Sequence, residues 1–374
     1  MSYGRPVWAE VNLAAIDWNM KHIKALLKPG TKFCPVIKAD GYGHGAIATA
    51  GEAIANGAEY LAVSLLQEGQ ILREAGITLP ILLLNYTPPE MSTQVVGDSF
   101  TQTIYTLEQA QALSQAATAL GRTVRVHVKI DTGMARLGVH PADAFDFCRA
   151  VVVLPGLELE GMFTHFATAD SLDKTFAREQ FAKFKSAFTA VRGAGIPLPI
   201  CHCANSATIL DLPEMHLDMV RPGIILYGLE ASDETSRPFP LAPAMHLRGR
   251  LSMVKTVPAG TPVSYGSTFR TEKETQIATV PIGYADGYTR MLSRKAQVLV
   301  AGKKVPVVGR ICMDQCMVDV TGLTVAAGDP VTLFGPVELS ADEIAAHLGT
   351  INYEVVCMIG KRVPRVYVRD NVSA

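Results

Sequence analysis

The sequence predicts a (β/α)8 barrel of the TIM type followed by a mainly β C-terminal domain. Three observations carry this expectation. Apolar strand-like runs alternate with helix-like stretches over the first half of the chain. Polar and charged residues stand at the ends of those runs. Beyond a polar linker the texture changes to short β-branched runs divided by turn signals.

Residues 7–13 read as a first strand and 14–27 as an amphipathic helix. Eight further apolar runs fall near 33–37, 60–64, 80–84, 101–105, 124–130, 157–164, 198–203 and 219–221. Helix-like stretches lie between them at 65–75, 107–120, 142–153 and 174–191, with a shorter one at 206–212. Strands alternating with helices imply parallel pairing. Eight in roughly 200 residues is the count of a barrel, whose active site sits at the C-terminal strand ends. Near 231–243 the chain turns polar and proline-rich. After it come runs at 247–257, 275–280, 297–300, 304–308, 317–320 and 330–333, and a helix at 341–348. The expected domains are therefore 1–238 and 239–374.

Composition narrows the function. The 374 residues are 48% hydrophobic and 18% charged, ample for two cores. A net charge of -1 gives no electrostatic case for a nucleic-acid partner. The seven cysteines are scattered and form neither a disulfide framework nor a metal-ligand pattern. A reducing cytoplasm suits them. The N-terminus lacks the apolar core of a signal peptide, and no apolar run is long enough to cross a membrane.

The strand ends hold the chemistry: Lys38, Lys129 with Asp131, Thr164 with His165, Asn205 with Ser206, and Arg221. Lys38 closes an apolar run and precedes Gly41-Tyr42-Gly43-His44-Gly45. Three readings stand open there. A lysine can snorkel at a strand end. A desolvated lysine can act as a Schiff-base nucleophile. Gly41-x-Gly43-x-x-Ala46 also fits a dinucleotide loop, but the next strand ends at Ser64 rather than at an acid.

The ordered motifs then carry a resemblance. Pro35–Gly45 resembles the pyridoxal-phosphate attachment segment of bacterial alanine racemases. So do Asp131–Gly138, His165, Asn205-Ser206 and Arg221-Pro222-Gly223-Ile224. The likeness continues through Ser264-Tyr265-Gly266, Gly283–Tyr288, Gly309–Asp314 and Asn352-Tyr353-Glu354. It spans almost the whole chain. It implies a barrel plus a β domain, pyridoxal 5'-phosphate as cofactor, L- and D-alanine as substrates, and a homodimer with shared active sites.

The resemblance also implies roles. Lys38 would anchor the cofactor and serve one face of the substrate, and Tyr265 of the partner subunit the other. A free phenol ionises near about 10, so that tyrosine needs cationic neighbours such as Arg136 or Arg310. Ser206, Gly223, Ile224 and Tyr42 would hold phosphate, with Asn205 beside them. Arg221 would face the pyridine nitrogen, with His165 beside the ring. An arginine there donates a hydrogen bond without giving up its proton. Arg136 would approach the cofactor phenolic oxygen and the substrate carboxylate, with Met313 and Asp314 also on the substrate side. Tyr353 and Tyr284, with Tyr265, would form an entrance that admits a small side chain. Lys129 would be open to carbamylation, which would give Arg136 an anionic neighbour. Cys201 and Cys203 share one strand face as small core residues, with His202 on the other, and Cys312 has no evident role.

Alternatives remain. A broader small-amino-acid (serine) racemase would share the motifs. A barrel-type decarboxylase would carry an acid in place of Arg221. A non-catalytic cofactor carrier would lack the chain beyond Pro243.

Overall fold

The computed structural model describes residues 5–335 and 337–372. The chain divides into two compact units. One comprises Ile16–Gly41 and Ala46–Leu241, and the other the chain up to Ala15, Tyr42–Gly45 and the chain from Ala242.

The first strand, β1 (Val7–Asn12), alternates buried and half-buried residues. It belongs to the second of these units, and its partners are described with that unit's sheet below.

The first unit is the barrel. Its strands are β2 (Lys32–Phe33), β3 (Leu61–Val63), β4 (Ile81–Leu83), β5 (Thr101–Ile104), β6 (Val124–Lys129), β7 (Leu157–Phe163), β8 (Ile200–His202) and β9 (Met219–Val220). β3 to β8 form one parallel sheet in sequence order, and β2 pairs in parallel with β9. Backbone bonds join the two sheets at both seams. Ile37 N donates to Ala62 O at 2.8 Å and Ala62 N to Pro35 O at 3.0 Å. Arg221 N donates to Ala204 O at 2.9 Å. The ring is thus closed, and its strands are largely buried, with Thr101, Gln102, His127, Lys129 and His202 as polar residues among the apolar ones. The run at 33–37 keeps a regular ladder only at Lys32–Phe33, because Pro35 has no N–H to give.

The second unit is mainly β. Its strands include β10 (Met245–Arg250), β11 (Met253–Val257), the small hairpin β12 (Pro262–Val263) and β13 (Phe269–Arg270), and β14 (Thr275–Val280). They continue as β15 (Gln297–Val300), β16 (Lys303–Val308), β17 (Cys316–Asp319), β18 (Pro330–Phe334) and β19 (Arg365–Val368). A nine-stranded sheet runs β11-β14-β17-β16-β15-β18-β10-β1-β19. β1 lies between antiparallel β10 and parallel β19. The run expected at 247–257 is two strands, broken at Leu251-Ser252, and they pair at different places in the sheet.

Asp286 is fully buried in this unit. Both its carboxylate oxygens accept from Arg5, at 2.5 and 2.7 Å, and Arg362 Nε stands 3.4 Å away. It also accepts from Gly283 N at 3.0 Å and so fixes the turn Tyr284–Asp286. Removing Asp286 takes the acceptor from part-buried Arg5 and from the Gly283 N–H, while Arg362 keeps Asp314. Asp286→Ala should therefore destabilise the unit by about 1–3 kcal/mol in urea unfolding. An unchanged unfolding midpoint would contradict this.

Candidate active site

The C-terminal strand ends of the barrel gather basic residues. Lys129 ends β6, His165 follows β7 by two residues, and Arg221 directly follows β9. Arg221 is 4% exposed. It bonds His202 Nδ1, and its Nη2 donates to Thr164 O at 2.9 Å and to Cys203 O at 3.4 Å. His165 Nδ1 lies 3.5 Å from the same nitrogen. The Phe163 ring carries Arg221 Cζ at 5.2 Å and Lys129 Nζ at 5.1 Å, and it stacks on His202 at 4.7 Å. Its π face offsets part of the cost of burying those charges.

The crowding shows in the titrations. Burial, then Arg221 and Arg136, bring the Lys129 ammonium down to about 7. Burial lowers Arg221 to about 10. His165 is held well below the ordinary histidine range by burial, and by Arg221, Lys129, Arg136 and Lys38. Lys38, Lys129, Arg136, His165 and Arg221 are thus brought together. Asp131 shapes the loop that bears Arg136, its Oδ1 accepting from Gly133 N at 3.0 Å and Ala135 N at 3.1 Å.

Lys38 leads into a left-handed turn. Ala39, Asp40, Gly41 and Tyr42 have φ of 52, 53, 63 and 51°. For residues with a Cβ this costs roughly 1–2 kcal/mol each. The turn is held from outside. Glu68 Oε1 accepts from Ala39 N at 2.6 Å, while its other oxygen accepts from Ser64 N at 2.7 Å. Strain of this kind marks functional segments. Sequence reading passed over Glu68, because its bond to the residue after Lys38 spans distant positions.

Ser206 opens the short helix Ser206–Asp211, capped by Asn205 Oδ1, which accepts from Thr208 N at 3.0 Å. Ser206 Oγ accepts from Gly223 N at 2.9 Å. The Gly223 N–H is therefore engaged, and the Ser206 hydroxyl proton is left to donate elsewhere. The 3-10 turn Ile224–Tyr227 begins next, and its first N–H groups have no partner within the turn.

In the second unit Tyr265 is 68% exposed and lines a cleft of about 440 Å³ with Ser264, Cys312, Met313, Asp314 and Gln315. Ser264 adopts φ 64°, ψ -178°, a conformation that is essentially glycine's own. Its hydroxyl donates to Arg310 O at 2.5 Å. A Cβ at Gly266 would stand 2.8 Å from Arg310 Nη1, so the glycine lets that guanidinium approach. Tyr284 N donates to Cys312 O at 3.1 Å and Ala285 N to Met313 O at 3.0 Å, tying Tyr284 to the Met313 loop. Asp314 pairs with Arg362 at 2.7 Å. The buried Tyr42 ring lies 6.2 Å from that of Tyr353, and burial pushes its phenol up.

Cys201 and Cys203 are buried thiols raised to about 12, as core residues should be. His202, between them, is the residue sequence reading undervalued. Strand alternation puts it opposite the thiols, on the side where Arg221 meets it.

The comparisons with known proteins agree. Residues 11–231 match the family model "Alanine racemase, N-terminal domain" and residues 244–367 match "Alanine racemase, C-terminal domain". An alanine racemase of Desulfovibrio desulfuricans is 64% identical over 98% of this chain and 100% of its own. The solved alanine racemase of Clostridium difficile 630 superposes with a TM-score of 0.95 at 45% identity, covering 99% of this chain and 97% of its own. An alanine racemase of Bartonella henselae, solved with covalently bound pyridoxal phosphate, gives 0.87 at 28% identity over 97% and 99% of the two chains. With both domains matched in order and the fold shared throughout, the chain belongs to the alanine racemase family.

Proposed function

We propose that this chain interconverts L- and D-alanine, with pyridoxal 5'-phosphate at the barrel rim and with Lys38 and Tyr265 as opposed proton-transfer groups. Buried Arg221 is the observation that carries the reading. Its partners are imidazole nitrogens and carbonyls, and among the described residues it has no carboxylate ion pair. Its Nε–H and one Nη1–H remain, which suits a neutral ring nitrogen as acceptor.

When bound, the cofactor supplies an electron-accepting ring conjugated to the substrate nitrogen. Lys38 anchors it, and the Ser206 hydroxyl, the Ile224 N–H and the Tyr42 phenol serve its phosphate, with Gly223 and Asn205 positioning Ser206. Arg221 would donate to the ring and keep its own proton, which would leave the ring a weak electron acceptor. Arg136 and the Met313 N–H take the substrate carboxylate, and Asp314 orders that loop through Arg362. Tyr284, Tyr353 and Tyr265 form the constriction that favours a methyl side chain. Tyr265 comes from the partner subunit of a homodimer.

The test is racemisation of alanine, serine and lysine. Alanine should lead by about tenfold or more in kcat/KM. Equal turnover of serine would favour the broader racemase.

Lys129 adds a prediction. A lysine titrating at about 7 is largely neutral above that pH, and the neutral amine is the form that adds carbon dioxide. Labelled carbon dioxide should give a carbamate carbon signal in the native enzyme that Lys129→Arg lacks. Identical spectra would remove the carbamate from the scheme.

A further inference from the structure

Behind Arg221, buried polar groups continue across the barrel core. His202 Nε2 lies 2.8 Å from His127 Nδ1, and His127 Nε2 lies 3.0 Å from Glu160 Oε2. The Tyr60 hydroxyl donates to the same oxygen. Both imidazoles are fully buried.

The partners fix every proton. Arginine can only donate, so His202 Nδ1 must accept from it. His202 then carries its proton on Nε2 and gives it to His127 Nδ1. His127 must in turn carry its proton on Nε2, where the Glu160 carboxylate accepts it. The chain therefore runs in one direction, from guanidinium to carboxylate. Aligned bonds in a dry interior strengthen one another.

The backbone is adapted to this arrangement. The β6–β7 ladder shifts register between Val126 and His127, so that Leu159 and Gly161 find partners and Glu160 is the extra residue. Such bulges re-aim a side chain. A Cβ at Gly161 would stand 2.7 Å from the His127 ring, so the glycine makes room for the imidazole. The other charged neighbours are Arg125, 3.6 Å from Glu160 Oε1, and Lys129, which shares the Phe163 ring with Arg221.

We propose that His127 and Glu160, acting through His202, are positioning residues for Arg221: the Glu160 carboxylate is the terminal acceptor of a chain whose tautomers both ends fix, and so keeps Arg221 a fixed donor with no direct counter-ion. The kinetic consequence rests on Arg221 serving the cofactor ring. The tautomers do not, so the two ideas can fail separately.

The experiment uses nitrogen-labelled histidine in the full chain, with and without pyridoxal phosphate. Both imidazoles should carry the proton on Nε2. Glu160→Leu leaves the His127 Nε2 proton without its acceptor and should shift the signal of that nitrogen. In the loaded enzyme it should move the pH profile of the cofactor's visible absorbance and lower kcat about tenfold with KM little changed. Glu160→Gln, which retains an acceptor, should restore the His127 Nε2 signal and most of kcat. A proton on Nδ1 of either histidine in the native protein would overturn the proposal. So would a native His127 Nε2 signal, absorbance profile and kcat in Glu160→Leu. If that variant fails to fold, the native spectrum alone decides.

Discussion

Lys38→Ala should lose racemase activity and the visible absorbance of the bound cofactor together, while the fold survives. Lys38 is half-buried and lies outside the packed core, so its removal leaves no core cavity. In the proposed scheme it has two tasks, anchoring the cofactor and moving a proton on one face of the substrate. General acid–base catalysis alone is worth about 10²–10⁴-fold, and loss of the covalent anchor adds to it. Activity should fall by about ten-thousand-fold or more. Circular dichroism checks the fold and absorbance checks the cofactor. Near-native turnover in this variant would refute the assignment of Lys38.

Tyr265→Ala should keep the cofactor and lose turnover by about 10²–10⁴-fold. The exposed ring supports little packing, so stability should hardly change. The strained Ser264 and the approach of Arg310 beside Gly266 support the proposed role of Tyr265. If each site takes its tyrosine from a second chain, mixing inactive Lys38→Ala and Tyr265→Ala chains restores activity. Proven subunit exchange without recovery would rule out that arrangement.

The barrel was legible because its strands are short, apolar and separated by helices whose 3.6-residue period is plain, as at Leu107–Leu120. Pairing was less so. Period-two alternation in Val7–Asn12 says that one face is buried but not against what, and its partners lie more than two hundred residues away. Arg365–Val368 and the helix Asn352–Cys357 were too short to stand out. The site divides the same way. Lys38, Lys129, His165, Ser206 and Arg221 show in the sequence because polar residues at the ends of apolar runs are conspicuous. Glu68, His127 and Glu160 do not. Each acts through a neighbour that only the closed barrel supplies, and the bulge at Glu160 breaks the alternation that would have placed it.

The two opposed proton-transfer groups can be separated by isotope. Tyr265→Ala enzyme carrying cofactor is incubated in heavy water with each alanine enantiomer, and deuterium at the α-carbon is followed. D-Alanine should still exchange through Lys38, while exchange of L-alanine falls by about a hundredfold or more. Exchange of both enantiomers at native rates would contradict the two-base reading.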